Sequence, residues 1–327
     1  MRRILITGGS GFIGTSLISL LERSVGEILN VDINPPKLAS QQAYWKRCDI
    51  KDMPELVNIF EGFRPTHVFH LAAKANLNGK TVEDFPDNVS GTGNVIQAVN
   101  QMDSVSRFVH FSTQYVVRPG VYPSSEEFLM PYTAYGESKA LGETLVWKKC
   151  SKCWVILRPT NIWGPMHPFY PREMWRYVQK RYYMHPGYKP IIKYYGYIEN
   201  AIEQISFIGL KASTEQIQQQ VFYITDSPID NAEWMNAFSV LLSGKSVRRI
   251  PIGIWRSLAV VGDIMKSMNI PFPMSTERFF RLTVNESVFH EKTISLVGSP
   301  QVSLSEGVRR SVEWYKSELG GRRVPDA

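Results

Sequence analysis

Tyr135-Gly136-Glu137-Ser138-Lys139 carries a phenol and an ammonium four residues apart. On a helix, positions i and i+4 share one face and lie about 6 Å apart along the axis, so the two polar ends can converge. Such a pair suits removal of a proton from an alcohol. A phenol, with a pKa near ~10, is too weak a base at neutral pH; an adjacent ammonium and a helix N-terminus both favour the phenolate. The spacing equally describes a surface tyrosine, with Lys139 paired to Glu143 one turn on. A third hydroxyl, Thr113, follows the apolar run Arg107–Phe111 within Phe111-Ser112-Thr113-Gln114-Tyr115. Alone it is either a turn residue or a second polar group at a strand's carboxyl end, where chemistry collects.

These residues need a scaffold, and the start of the chain describes it. Arg3-Ile4-Leu5-Ile6-Thr7 suits a buried parallel strand, and Phe12, Ile13, Leu17, Ile18, Leu20 and Leu21 recur with helical spacing through Ser24. Between them lies T-G-G-S-G-F-I-G, Thr7 to Gly14. Gly8 allows the sharp turn, Gly11 lets backbone N–H groups approach a pyrophosphate, and Gly14 lets the helix pack close to the sheet. The spacing fits both G-x-G-x-x-G and T-G-x-x-G-x-x-G. The next strand, Glu27 to Asp32, ends in an acid about 20 residues past the glycines, placed to accept hydrogen bonds from an adenosine ribose. A carboxylate there repels a 2′-phosphate, which favours NAD over NADP. A strand-to-helix turn with Asp32 as a turn residue is the plainer alternative.

Further strands and helices alternate. Asn34-Pro35-Pro36 is a loop, Tyr44 to Arg47 a short third strand, and Met53 to Gly62 a helix. His67 to Ala73 is a strand ending in small residues, as a cofactor lying across its end requires. Asn88 to Met102 is a helix and Arg107 to Ser112 another strand. The alternation implies a parallel sheet with helices on both faces.

Composition bounds the partners. The 327 residues suit one large or two interlocked domains, and 43% hydrophobic with 20% charged residues describes a globular protein. A formal net charge of +7 suits nucleic acid, an anionic membrane surface or an acidic small molecule without choosing among them. No apolar run is long enough to cross a bilayer; the nearest, Leu258 to Ile264, is interrupted by Gly262 and Asp263. The first strand begins almost at Met1, which leaves no room for a signal peptide and makes the cytoplasm the expected compartment. Cys150 and Cys153 have redox or zinc spacing, but no second pair or histidine cluster completes a metal site, and none is expected.

Taken in order, these motifs resemble the extended short-chain dehydrogenase/reductases, the NAD-dependent nucleotide-sugar epimerase/dehydratase family. The resemblance runs through Thr7 to Gly14, Asp32, Asp49-Ile50, His70-Leu71-Ala72-Ala73, Asn88 with Gly91-Thr92, Ser112-Thr113, Tyr135 to Lys139 and Leu157 to Pro165. It implies an α/β fold: a Rossmann-type doubly wound parallel sheet with a smaller mixed α/β C-terminal substrate lobe. Residues 1–163 with 198–226 would form the NAD-binding domain, and 164–197 with 227–327 the substrate-binding lobe. The implied cofactor is NAD, contacted by Gly8, Gly11, Phe12, Ile13, Gly14, Asp32, Asp49 at the adenine, Ile50, Leu71, Ala72, Ala73, Asn88, Ser112, Tyr135, Lys139 at the nicotinamide ribose, Pro159 and Ile162. Thr113 and Tyr135 would bracket the sugar hydroxyl, with Thr113, Tyr135 and Lys139 as the catalytic set, and Asn161 would touch the sugar nucleotide. A homodimer through the helices after Asn88 and around Tyr135 is also implied.

Beyond Pro165 the composition shifts to Trp, Tyr, Phe, Pro and basic residues. Arg172, Arg176 and Lys180, spaced by four, describe one basic helix stripe. It could hold a diphosphate beside aromatics that hold a base, bind single-stranded nucleic acid, or be a solvated helix face. Nucleic acid is not the expected partner. Lys193 stands near the position where many family epimerases place an arginine on the substrate phosphate; a lysine keeps the charge without the bidentate geometry. Val221 to Thr225 is a late sheet strand. Arg249, Arg278 and Arg281 are further diphosphate candidates, with Arg281 preferred.

The resemblance also sorts the reactions. Family 4,6-dehydratases carry an Asp-Glu pair after the catalytic Thr; here Gln114 and Tyr115 stand there, and neither replaces an acid and a base. A 4-epimerase needs no further acid or base. It oxidises a sugar hydroxyl to a ketone and returns the hydride to the other face, and this is the expected activity. A nucleotide-sugar dehydrogenase or keto-sugar reductase, using the same groups with external NAD(P), is the alternative. A non-catalytic NAD-sensing regulator would have shed Tyr135 or Lys139.

Overall fold

The computed structural model describes residues 2–23, 26–75 and 79–319, without the side chains of Arg172 and Leu319. β1 (Arg3–Thr7) leads through the glycine turn into α1 (Phe12–Leu21), and β2 (Glu27–Asp32) follows. A 3-10 turn at Ala39–Tyr44 precedes β3 (Trp45–Arg47), so Tyr44 closes that turn instead of opening the strand. α2 (Met53–Phe63) starts on Asp52, whose side chain accepts from Glu55 N–H, and stops where Arg64 turns left-handed at φ 48°. β4 (His67–His70), a π-type turn at Asp87–Gly91, α3 (Thr92–Gln101), β5 (Arg107–Phe111), α4 (Ala134–Lys149) and β6 (Trp154–Pro159) complete the first half.

The second half is more broken. It contains β7 (Asn161–Trp163), α5 (Arg176–Gln179), β8 (Met184–Pro186), β9 (Ile192–Lys193), β10 (Tyr195–Tyr197), α6 (Ile198–Ser206), α7 (Thr214–Ile217), β11 (Gln220–Ile224), β12 (Ile229–Asp230), α8 (Asn231–Ser243) and β13 (Arg248–Ile250). Four helices close the chain: α9 (Ile252–Ser267), α10 (Thr276–Thr283), α11 (His290–Val297) and α12 (Leu304–Leu319).

Seven strands form one sheet in the order β11-β6-β5-β4-β1-β2-β3, every neighbouring pair parallel. This is the Rossmann-type doubly wound sheet expected from the alternation. Chain order reverses between β1 and β4, so the crevice for a ligand opens beyond the carboxyl ends of those two strands. β5 is buried along its whole length, as a central parallel strand must be.

The smaller mixed α/β lobe is built from three two-stranded pairs: parallel β7·β10, antiparallel β9·β12 and parallel β8·β13, with the later helices around them. One apolar cluster runs from Ile4, Ile6 and Leu17 through Trp163 to Trp234, Phe238 and Tyr315. The two halves are therefore interlocked by a shared core. Among the described residues no helix is long and apolar enough to cross a membrane, and no cluster of His, Cys, Asp and Glu could hold a metal.

Candidate active site

The cofactor-side candidates gather at the carboxyl ends of the sheet strands and in the segments that follow them. Gly8 has φ +74°, and a Cβ there would lie 2.4 Å from Ala72 N, so only glycine lets the β1 turn pass under the end of β4. A Cβ on Gly14 would meet Gly8 O at 2.6 Å, which keeps α1 against the turn. Gly11 caps α1 without any side chain bonded to the helix start, and no acid occupies its first turn. The first-turn N–H groups and the positive end of the helix dipole are thus free of any internal anion.

Asp32, at the end of β2, accepts from Ser10 N–H at 3.0 Å and from Asn34 N–H at 2.9 Å. Asn30 Nδ2 donates to Ser10 Oγ at 3.1 Å, and Ser10 Oγ donates to Asn34 O at 2.8 Å. The carboxylate is thereby aimed beside the glycine turn. Phe12 packs edge-on against His167, with ring centroids 4.8 Å apart, and Ile13 is partly buried next to it. His167 was not singled out from the sequence. Nothing local marks it, because its position depends on β6 and β7 bringing the 164–170 segment back to α1.

Asp49 is partly exposed and accepts from Lys51 N–H at 2.9 Å; Ile50 turns inward, packed where a Cβ on Gly91 would stand. Leu71 N–H donates to Thr7 O at 2.9 Å, and Ala72 and Ala73 continue past the strand end. Asn88, fully buried, accepts from Lys74 N–H at 2.8 Å and donates to Ser138 Oγ at 2.9 Å. It pins the segment after β4 to the middle of the Tyr135-Lys139 stretch. Pro159 ends β6, and Ile162 is buried in β7.

Thr113 precedes the 3-10 turn Gln114–Val116, and its Oγ1 accepts from Tyr115 N–H at 3.3 Å. Thr133 Oγ1 accepts from Gly136 N–H at 3.0 Å and starts α4, putting Tyr135 in the first turn. The Thr113 side chain lies close enough to the Tyr135 phenol to pull its pKa down. The two hydroxyls, 22 residues apart in sequence, are one unit in space. Ser112 Oγ is buried beside Thr113 with no partner in the protein, an unsatisfied polar atom at the end of β5.

Lys139 is buried, and burial pushes its ammonium down to about 8, with Glu143 opposing that shift. Burial pushes the Tyr135 phenol up to about 12, while the nearby Thr113 side chain pulls it back. The expectation that Lys139 and the helix start lower this phenol is not met by the protein alone: burial dominates, and the one neighbour that lowers it is Thr113.

Beyond Thr113 opens a cavity of about 1020 Å³, bounded by Gln114, Tyr115, Asn161 and Tyr195 at the sheet end. Its far wall is Trp255 and Leu258 of α9 with Phe272, Met274 and Leu282, and its cations are Arg118, Arg278, Arg281 and Lys193. Asn161 Nδ2 donates to Tyr194 O at 3.0 Å. Lys193 departs from the expectation of a free phosphate ligand: it is buried, donating to Glu286 Oε1 at 3.0 Å and to Arg281 O at 2.9 Å. Its charge is spent on Glu286, 93 residues away, and its second bond fixes the backbone of Arg281. Arg281 keeps a partly exposed side chain 3.8 Å from Glu277. Arg249 is 3.9 Å from Asp230 and does not line the cavity wall described here.

A π-type turn at Pro171–Trp175 runs straight into α5, and Lys180 N–H donates to Arg176 O at 3.0 Å before Arg181 turns left-handed at φ 61°, so Arg176 and Lys180 share an exposed helix face; the side chain of Arg172 lies outside the described residues. Cys150 caps the end of α4, and burial pushes its thiol and that of Cys153 upward, the opposite of activation.

A sequence model of the NAD dependent epimerase/dehydratase family matches residues 4–197. A 3beta-hydroxysteroid-dehydrogenase/decarboxylase (isoform 1) of Arabidopsis thaliana is 25% identical over 369 aligned residues, covering 99% of this chain and 82% of that one. A dTDP-glucose 4,6-dehydratase of Neisseria meningitidis serogroup B is 29% identical over 202 residues, 51% of this chain and 55% of its own. In fold, the chain is similar to a UDP-glucuronic acid 4-epimerase from Bacillus cereus, solved with UDP-glucuronic acid and NAD: TM-score 0.72, 20% identity, covering 97% of this chain and 99% of that one.

Proposed function

The chain belongs to the NAD-dependent epimerase/dehydratase family, and on that premise we propose that it is a nucleotide-sugar 4-epimerase. The observation that carries this reading is the closeness of Thr113 and Tyr135, beside buried Lys139, followed by Gln114 and Tyr115 where an acid and a base would be needed for loss of water. The site has the groups to move one hydroxyl proton and none in that place to do more.

The residues fit NAD: an uncapped α1 start for its diphosphate, the oriented Asp32 carboxylate for a ribose, and the unsatisfied Ser112 Oγ and Lys139 near the end of β5. When bound, NAD supplies the exchangeable hydride and, in its oxidised form, a positive charge. The sugar hydroxyl sits between Thr113 Oγ1 and Tyr135 Oη. Tyr135 takes its proton and later returns one, and Thr113 holds the oxygen in line. Lys139, charged below about 8, stabilises the phenolate by charge, which matters more for a buried ammonium than for an exposed one.

Arg281 and Arg278 take the substrate's diphosphate, with the aromatic wall of Tyr132, Tyr170 and Trp255 beside its base or sugar. Lys193 positions Arg281 instead of touching phosphate. Asn161 and Tyr135 face the sugar side. Residues 1–163 with 198–226 act as the cofactor domain and 164–197 with 227–327 as the substrate lobe, in a cytoplasmic homodimer joined through α3 and α4.

A second reading is net oxidation of an alcohol carried on an apolar skeleton. Trp255, Leu258, Phe272 and Met274 favour it, since they leave much of the cavity wall without polar partners. The relative that spans 99% of this chain is named for a hydroxysteroid reaction. Purified protein given UDP-, GDP- and dTDP-hexoses without added cofactor should interconvert a pair of 4-epimers, and denaturation should release one NAD per chain. If no sugar nucleotide is converted and NADH accumulates only with a sterol alcohol, the epimerase assignment fails and the second reading stands.

A further inference from the structure

His167 is held in a single tautomer beside the start of α1. Phe169 N–H and Tyr170 N–H both donate to its Nδ1, each at 3.1 Å. Two donors on one ring nitrogen require a lone pair there, so the imidazole proton belongs to Nε2. Burial pushes this imidazole down to about 4, and the charge of Lys37, on the loop after β2, presses the same way with no carboxylate opposing them. At neutral pH the ring is therefore uncharged and Nε2–H is a donor. Among the described residues nothing accepts from it, and it is not sealed in the interior as both ring nitrogens of His110 are.

The backbone places this ring with care. Met166, just before it, takes φ 65°, a left-handed conformation that residues other than glycine seldom adopt. Gly164 takes φ 150°, and a Cβ there would meet Ile198 Cγ2 at 2.5 Å. The chain leaving β7 is thereby bent so that the His167 ring lies edge-on to Phe12, with centroids 4.8 Å apart, and 4.5 Å from the ring of Tyr170. Phe12 is the first residue of α1, and helical side chains lean toward the N-terminus of their helix. A ring packed on Phe12 consequently borders the uncapped first turn, the place where a diphosphate meets the N–H groups of α1.

We propose that His167 is a further ligand of the bound NAD, its Nε2–H donating to an oxygen of the dinucleotide's diphosphate beside the α1 N-terminus. A hydrogen bond to a charged oxygen is one of the stronger kinds. Three stretches distant in sequence, the start of α1, the loop after β2 and residues 164–170, then border one anion. The inference rests on the family's cofactor and on neither of the two reactions weighed above, so it can fail while an epimerase or a dehydrogenase stands.

Two substitutions separate the two ring nitrogens. Asparagine carries a polar atom where Nδ1 stands and none where Nε2 stands, and glutamine does the reverse. His167→Asn should keep the turn at Phe169 and Tyr170 and lose the contact to phosphate; His167→Gln should keep the contact and weaken the turn. The full chain, stripped of nucleotide on charcoal, is titrated calorimetrically with ADP, adenosine and UDP. In His167→Asn the affinity for ADP should fall about ten- to a hundredfold, while adenosine and UDP change less than about twofold. Its melting temperature should stay within a few degrees of wild type, and the NAD retained through purification should fall with the ADP affinity. His167→Gln should hold ADP within about threefold of wild type and melt lower. An ADP affinity unchanged in His167→Asn overturns the proposal. So does an equal loss for adenosine, which would make the ring a packing element of α1, and so does a loss for UDP in place of ADP, which would give Nε2–H to the substrate's diphosphate.

Discussion

Glu143 grips Arg158 through two parallel hydrogen bonds, Nε to Oε1 at 2.9 Å and Nη2 to Oε2 at 2.7 Å, with both side chains fully shielded from solvent. Arg158 Nη1 donates in turn to the Tyr223 hydroxyl at 3.0 Å, tying α4 to β6 and β11. Breaking such a pair from one side strands a buried charge, so Glu143→Gln should lower stability by about 3 to 5 kcal/mol. Glu143→Leu together with Arg158→Met should recover most of that loss. Urea denaturation of wild type and these two variants measures it; a Glu143→Gln variant within about 1 kcal/mol of wild type would mean the pair is not buried as described.

Lys139 stands one turn before Glu143, whose carboxylate is already committed. Its ammonium is left with burial and no dedicated counter-charge, which is why it is pushed from 10.5 down to about 8. The sign follows directly. Between these values the unfolded chain holds a proton that the folded chain has released, so stability rises with pH across that window, and below about 8 the buried charge is a standing penalty. Lys139→Met should therefore make the cofactor-free protein more stable at pH 7, by about 1 to 3 kcal/mol, while turnover falls at least about a hundredfold. The stability gap should narrow by pH 10. A variant that is destabilised at pH 7 would show that Lys139 is better compensated than the geometry indicates.

The two hydroxyls define a sharper pair of variants. Tyr135→Phe removes the only proton acceptor proposed for the sugar hydroxyl and should abolish turnover while leaving NAD content unchanged. Thr113→Val should deprive the Tyr135 phenol of the one neighbour that lowers its pKa, and the substrate of a hydroxyl partner, so activity should fall by about a hundred- to a thousandfold. Steady-state rates and NAD released on denaturation separate the effects. Turnover surviving in Tyr135→Phe would move the base elsewhere.

The first half of the chain was legible because each element carries its own signal. Apolar runs mark β1, β4 and β5, the glycine spacing marks the turn, and Asp32 and the Tyr135-Lys139 spacing mark strand end and helix face. What the sequence concealed is whatever depends on distant segments meeting. Lys193 reads as a free cation until Glu286 arrives beside it. Arg176 and Lys180 do share an exposed helix face, but their spacing does not say that this face stands away from the cavity, whose wall they do not join. The cavity wall joins segments around residues 115, 170, 255 and 272, with no period linking them. Leu258 to Ile264 reads only as an interrupted apolar run too short to span a bilayer, and nothing in it says that it belongs to a helix walling the cavity.

Gly11 separates folding from cofactor binding. Its φ of −71° suits any residue, and an added Cβ meets nothing nearer than Gly8 O at 3.2 Å. Gly11→Ala should fold with stability within about 1 kcal/mol of wild type, yet its methyl group would occupy the approach to the α1 N-terminus. NAD retained through purification should fall below a tenth of the wild-type amount. Gly8→Ala, by contrast, should fail in both respects, because its Cβ would collide with the Ala72 backbone at 2.4 Å. Full NAD occupancy in Gly11→Ala would place the dinucleotide away from this turn.

Asp226, just past β11, gives the fold a pH dependence of its own. Its carboxylate accepts from Tyr197 N–H at 2.9 Å and Asn200 Nδ2 at 3.1 Å, joining β10 and α6, the segment where the chain returns to the central sheet. Burial lifts this carboxyl from 3.8 to about 7 against those two donors. The folded protein thus keeps a proton that the unfolded chain has lost, and the stability held in that proton is whole below about 4 and gone once the pH has risen through about 7. Partly buried His67 and fully buried His70, pushed down to about 4 and about 3, work the other way, gaining stability as pH rises toward 6.5. They are common to wild type and Asp226→Asn, so the difference between the two proteins isolates the carboxyl. Asp226→Asn should gain on wild type as the pH goes from 5 to 8, by several degrees in melting temperature. Parallel melting curves across that range would mean that Asp226 is ionised throughout and that the return of the chain is held by a charge after all.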